Sequence, residues 1–118
     1  MGTNCLVGIQ HKDGRVEYIF IQWDGYIKGV GSALFKYFKT RDEICNLMKW
    51  GFRLTLEESC TSIDTDKDKY EESMWAENYQ DFFTKSIGYP EYYYIFTLEN
   101  VWVVYDRYNT FNLCNKFM

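Results

Sequence analysis

The chain is short of several residue types, and each shortage closes off a class of protein. It holds one histidine, His11, in 118 residues. Imidazole is the commonest proton carrier near neutral pH and a frequent zinc ligand, so histidine-based catalysis and zinc centres are both disfavoured. A single proline and no low-complexity stretch argue against a disordered chain. The four cysteines, Cys5, Cys45, Cys60 and Cys114, show no C-x-x-C spacing and read as reduced structural thiols. No apolar run approaches the roughly 18 residues that would span a bilayer. The N-terminal MGTNCLVGIQ lacks the basic start and apolar run of a signal peptide, and Leu6 breaks the myristoylation pattern. The expected compartment is therefore the cytosol. Basic residues are outnumbered, 13 Lys+Arg against 17 Asp+Glu, for a net charge of −4. That balance disfavours duplex nucleic acid, whose phosphates call for a basic face.

What is abundant is aromatic surface. Eleven Tyr, nine Phe and four Trp make up 20% of the chain, more than packing alone requires. Large amphipathic rings are typical of surfaces that meet a ligand or another subunit. Charge is also unevenly distributed. Residues 28–53, with Lys28, Lys36, Lys39, Arg41, Lys49 and Arg53, carry a net +4, whereas residues 57–81 carry −7. Such polarity can draw a small anion to one end or match two subunits to each other, and two solvated faces explain it equally well.

The length fits one domain, residues 1–118. Residues 5–10 and 16–23 read as strands joined by a turn at Asp13-Gly14, since that pair readily takes positive φ. In the second strand Tyr18 and Phe20 face one way and Ile19, Ile21 and Trp23 the other, so both faces of the sheet must be covered. Val30, Leu34, Tyr37 and Phe38 form one stripe of a helix from Gly29 to about Lys39. Thr40 and Glu43 fit a capping box that opens a second helix, with Ile44, Leu47 and Met48 buried and Gly51 as its stop. A short strand at 52–56 and a polar acidic loop follow. The spacing of Trp75, Tyr79, Phe82 and Phe83 predicts a third helix over 70–85. Strands at 91–97 and 101–106 close the chain as a second hairpin. The predicted class is α+β, an antiparallel sheet from N- and C-terminal hairpins with inserted helices. Helices cover one face. The other, aromatic face suits a partner subunit or a curled, barrel-like sheet, and a two-fold homo-oligomer is expected.

Sites for chemistry are few. His11 falls in a predicted surface turn, no G-x-S-x-G elbow exists, and no cysteine has a sequence-local base. No catalytic residue is assigned, and the chain reads as a binding protein. Asp64-x-Asp66-x-Asp68 imitates the start of a calcium loop, but Lys69 and Trp75 stand where glycine and glutamate are needed, so no metal and no cofactor is expected. Gly29-x-Gly31-Ser32 before a helix, with Lys28 beside it, is a weak anion-binding signal against the plainer reading of a tight turn. Arg53 and Arg107 are candidates for gripping phosphate, because a guanidinium holds two oxygens at once. On the third predicted helix Trp75, Tyr79 and Phe83 read as core. Phe82 stands at the stripe's edge, where a ring could stack on a base. Asn78 and Asn109 carry the paired donor and acceptor that read a base or ribose.

Four runs, N-C-L-V-G-I, D-G-R-V-E-Y-I-F, W-D-G-Y and G-V-G-S-A-L-F-K-Y-F, together with the later E-Y-Y-Y-I-F-T-L-E-N-V-W-V-V-Y, resemble a family of small phage and prophage proteins. W-D-G-Y and V-G-x-x-L are the most specific pieces, and the likeness covers about two-thirds of the chain. The family resembled is that of phage anti-defence proteins acting against the Thoeris system. It implies a non-enzymatic sponge that sequesters a cyclic ADP-ribose-type signal, and in some members cyclic oligonucleotides, between subunits of an oligomer in the host bacterial cytosol. On that resemblance Trp23, Asp24 and Tyr26 of the W-D-G-Y turn join the ligand candidates. Two departures stand out: Gln22 replaces the histidine usual before W-D-G-Y, and residues 57–90 diverge. The competing expectations are a phage inhibitor that binds a host defence protein directly, such as a CRISPR effector, and, least favoured, an enzyme that degrades the signal.

Overall fold

The computed structural model describes residues 3–22, 24–50, 73–86, 89–106 and 108–113. Its class is α+β. Six strands, β1 (Cys5–Gln10), β2 (Val16–Ile21), β3 (Met74–Ala76), β4 (Tyr92–Phe96), β5 (Trp102–Tyr105) and β6 (Thr110–Asn112), form one sheet in the order β3-β2-β1-β4-β5-β6. The helical elements are a π turn (Ile27–Gly31) running into α1 (Ser32–Tyr37), then α2 (Arg41–Trp50) and the short α3 (Tyr79–Phe82).

Both predicted hairpins are present, and they close in the same way. His11 N–H donates to the Arg15 carbonyl and Gly14 N–H to that of His11, each at 2.8 Å. At the other end Thr97 and Asn100 make the equivalent bonds, at 2.9 Å, to the carbonyls of Val101 and Thr97. In each three-residue loop the last position is left-handed, Gly14 at φ 91° and Asn100 at φ 62°. The hairpins meet through β1 and β4, which run parallel with Cys5 beside Tyr92 and Ile9 beside Phe96. The sheet is therefore mixed, and among the described residues it is open rather than closed into a barrel, with β3 and β6 at its edges.

Because β1 is central, all of Cys5–Ile9 is buried, and alternate residues feed two cores. Cys5, Val7, Ile9, Ile19, Ile21, Tyr94 and Phe96 pack under Val30, Leu34, Phe38, Ile44, Leu47 and Met48 of the helical layer. Leu6, Tyr18, Tyr93 and Ile95 face the other way, onto Phe82, with Phe20, Phe83, Val103 and Tyr105 around them. The split of β2 into Tyr18/Phe20 against Ile19/Ile21 matches its alternation; Trp23 lies outside the described residues. Of the first helical stripe Val30, Leu34 and Phe38 are buried, but Tyr37 is exposed, since α1 ends at that residue and Phe38 leaves the helical conformation (φ −119°, ψ 77°).

The capping box is realised in both directions: Glu43 N–H donates to Thr40 Oγ1 and Thr40 N–H to Glu43 Oε1, each at 3.2 Å. Arg41, the first residue of α2, reaches back to the sheet. Its guanidinium donates to the Gln10 carbonyl and, at 3.3 Å, to that of Thr97, tying together the ends of the two parallel strands.

The third predicted helix is corrected. Residues 74–76 are a strand on the outer edge of β2, with Val16 opposite Ala76 and Tyr18 opposite Met74. Asn78 is extended (φ −161°) and its side chain accepts the Asp81 N–H at 2.8 Å, so the helix starts after Asn78. A strand followed by one capped turn reproduces helical spacing without being a helix, and the burial inverts. Phe82, assigned to an exposed edge, is 0% exposed, whereas Trp75 and Tyr79, read as core, are 45% and 48% exposed. Phe82 sits over Gly8, where an added Cβ would come within 3.3 Å of its ring and 2.8 Å of Val16 Cγ1. The strand at 52–56, the Gly51 stop and the Asp64–Asp68 loop lie outside the described residues.

Candidate functional site

The W-D-G-Y turn and the glycines after it are held by internal hydrogen bonds. Gly25 N–H donates to the Thr3 carbonyl at 2.8 Å and Val30 N–H to that of Asp24 at 2.7 Å. Gly29 N–H donates to Tyr26 at 2.9 Å, Gly31 N–H reaches the same carbonyl at 3.5 Å, and Ser32 N–H bonds Gly29. Every donor that an anion would need at Gly29–Ser32 already has a partner, and α1 is only six residues long, so the plainer reading of a tight turn holds. Glycine is required at 29 because a Cβ would overlap the Asp24 carbonyl. Asp24 is left-handed (φ 60°), and it, Tyr26 and Lys28 are exposed along this turn.

The remaining candidates scatter. The Asn78 side chain caps α3, and Phe82 is sealed in the second core. Asn109 lies in the β5–β6 turn, where the Asp106 carboxylate accepts its N–H at 2.8 Å and that of Tyr108 at 3.0 Å. Trp23, Arg53 and Arg107 lie outside the described residues.

The histidine sits in a network of its own. His11 Nε2 meets Glu17 Oε1 at 3.1 Å, and Ser73 Oγ donates to Glu17 Oε2 at 2.6 Å. The carboxylate stands between hydroxyl and imidazole, so the three groups are not in the order of a nucleophilic triad, which needs the imidazole in the middle. The His11 ring lies 5.0 Å from that of Trp75, and the Arg15 guanidinium covers the same indole at 4.5 Å. The described cysteines are equally unsuited to attack. Burial pushes the thiols of Cys5 and Cys45 up, away from the thiolate. Among the described residues no group of three or more His, Cys, Asp and Glu could hold a metal ion, and no helix is long and apolar enough to cross a membrane.

The β4–β5 hairpin carries a cleft on each side. On the helical side a cavity of about 260 Å³ is lined by Phe35, Lys39, Phe96, Asn100, Val101, Trp102 and Asn112. Its walls are fixed from several directions. The Trp102 indole donates to the Phe38 carbonyl at 2.9 Å, which pins the end of α1 to β5. Phe96 and Trp102 pack edge to face, 5.2 Å between ring centres. Lys39 is held through its backbone N–H, which donates to Glu43 at 3.3 Å, while its side chain is exposed and makes no ion pair among the described residues. Asn100 comes from the hairpin loop and Asn112 from β6. Aromatic walls, two amides and one ammonium thus converge on one concavity.

On the opposite side a cleft of about 400 Å³ is lined by Gln10, Tyr79, Phe83, Ile95, Thr97, Leu98, Glu99, Val103 and Thr110. A shallower depression of about 570 Å³ lies among Tyr89, Glu91, Tyr92, Asp106 and Tyr108, where Tyr89 and Tyr108 are 81% and 88% exposed.

None of the described sequence candidates lines the Lys39 cleft. Lys39 lay in the basic segment next to the capping box, and that was the one available signal. Asn100, Trp102 and Asn112 gain their meaning only when β5 and β6 are folded beside α1. No protein-family model, curated protein or solved structure matches the chain.

Proposed function

We propose that this protein binds a nucleotide signal of the cyclic ADP-ribose type in the Lys39 cleft and holds it without chemical change. The observation that carries this reading is the convergence of the Lys39 ammonium, which has no ion-pair partner among the described residues, with Asn100, Asn112 and the ring wall of Phe35. These are a counter-charge for a pyrophosphate, hydrogen-bonding edges for a base or ribose, and a surface for stacking. The cavity is smaller than the roughly 300–1,000 Å³ of sites that enclose drug-sized ligands. It takes one nucleoside portion, with the pyrophosphate at the rim beside Lys39. The Ser73 hydroxyl, bonded to a carboxylate and not to the imidazole, and the raised thiols of Cys5 and Cys45 favour sequestration over turnover. The resemblance to the phage anti-defence sponges supports the same class of ligand, together with a homo-oligomeric state and action in the cytosol of a bacterial host.

Thermal unfolding with and without cyclic ADP-ribose and a cyclic dinucleotide, followed by chromatography of the heat-released nucleotide, tests the reading. A ligand present at 100 times its Kd stabilises the folded state by about 2.7 kcal/mol. The expected result is a raised Tm with one ligand, intact nucleotide on release, and loss of the shift in Lys39→Ala and Asn100→Gly. The second variant keeps the loop, since glycine holds the same left-handed position in the other hairpin, and deletes only the amide. No shift with any nucleotide would favour an inhibitor that binds a host protein directly, and a converted nucleotide would favour an enzyme.

A further inference from the structure

The cleft on the opposite side of the β4–β5 hairpin has the reverse electrostatics. Of the residues that line it, Glu99 alone is charged, and that carboxylate has no ion-pair partner among the described residues. Tyr79 and Phe83 form one wall, their planes inclined at 73° and ring centres 6.2 Å apart, so two rings meet as a corner. Tyr79 is half exposed, and Leu98 beside Glu99 is 43% exposed. At the floor Thr97 has a hydroxyl shut off from solvent with no hydrogen-bond partner. Buried hydroxyls are nearly always paired, and an exception marks a place where a partner is missing.

We propose that this cleft binds a small organic ammonium ion carried on an apolar or aromatic body. An anion would meet Glu99 with no cation among the lining residues to offset it. A neutral apolar ligand would strip water from the carboxylate and return nothing. An ammonium group brings three donors and finds acceptors in Glu99 and the Thr97 hydroxyl, while ring faces attract its charge. The volume, within the range of small-molecule sites, admits one ring with a short aminoalkyl chain. The site is separate from the Lys39 cleft, lies across the sheet from it, and does not depend on that assignment.

Three probes of similar size and different charge test it: phenethylamine, phenethyl alcohol and phenylacetate, titrated into the isotopically labelled protein and followed by the ring resonances of Tyr79 and Phe83. Phenethylamine is expected to shift both rings, with the alcohol about tenfold weaker and phenylacetate silent. Glu99→Gln, in an exposed loop, is expected to weaken the amine about tenfold while leaving the alcohol unchanged. Thr97→Val is a same-shape change that keeps the fold and is expected to weaken the amine further. Equal binding of amine and alcohol, undiminished amine binding by Glu99→Gln, or no response to the amine at millimolar concentrations would each overturn the proposal.

Discussion

The Tyr94 hydroxyl donates to the Gly25 carbonyl at 2.8 Å, joining the centre of β4 to the W-D-G-Y turn. The phenol is fully buried, and burial pushes its pKa far above the ordinary tyrosine value, so it keeps its proton. Tyr94→Phe leaves the Gly25 oxygen dry and unpaired. The expected loss is about 1–3 kcal/mol in urea unfolding, with an unchanged slope.

Arg41 supports the junction of the two hairpins, since one guanidinium serves carbonyls at the ends of both β1 and β4. Arg41→Met should cost about 1.5–3 kcal/mol, the range for hydrogen bonds made by a charged donor. Arg41→Lys is expected to recover only part, because an ammonium cannot present the same planar fork. Chemical denaturation of the three proteins side by side gives the comparison.

The capping box at Thr40 and Glu43 makes a cheaper test of local structure. Thr40→Ala should destabilise by about 1 kcal/mol, whereas Thr40→Ser should be close to neutral. Amide exchange in the first turn of α2 should rise in the alanine variant alone.

The local elements were largely legible in the sequence, because hairpin turns, capping boxes and buried stripes are written in neighbouring residues. The Asp-Gly turn, the Thr40–Glu43 box and the buried set Ile44, Leu47 and Met48 depend on nothing distant. The third helix was misread because Trp75 answers to β2, a partner more than fifty positions earlier, and spacing alone does not register it. Phe82 was misplaced for a related reason: its burial depends on Gly8 offering a flat patch of strand. The parallel β1–β4 pair and the Lys39 cleft were equally out of reach, since each is assembled from segments with no shared local pattern.

Gly8→Ala follows from that contact. A methyl group there meets Val16 Cγ1 at 2.8 Å and the Phe82 ring at 3.3 Å, so the second core must shift. A loss of about 1–3 kcal/mol is expected, with altered ring resonances of Phe82 but not of Phe38 on the other face. An unchanged Tm would mean that α3 is not seated on β1.

Among the described residues two surface carboxylates should contribute to acid sensitivity. The Glu77 backbone N–H and then the Lys85 ammonium hold Asp81 below its ordinary value of 3.8, and Arg15 does the same for Asp13, first through its backbone N–H. A folded pKa lower than the unfolded one stabilises the protein above the unfolded value, and the effect fades as pH falls through the folded one. Stability should therefore decline below about pH 4, and Asp13→Asn and Asp81→Asn should each flatten that limb by lowering the neutral plateau while leaving the acid side unchanged. A limb of unchanged steepness in both variants would remove these groups as its source.

The parallel seam between β1 and β4 also sets the order in which the molecule can assemble. Each hairpin closes quickly over a three-residue loop, yet neither has a core of its own, because both hydrophobic layers cross the seam. The slow event is the encounter of two preformed ends of the chain across the whole intervening segment, a loop closure whose entropy must be met before any buried contact rewards it.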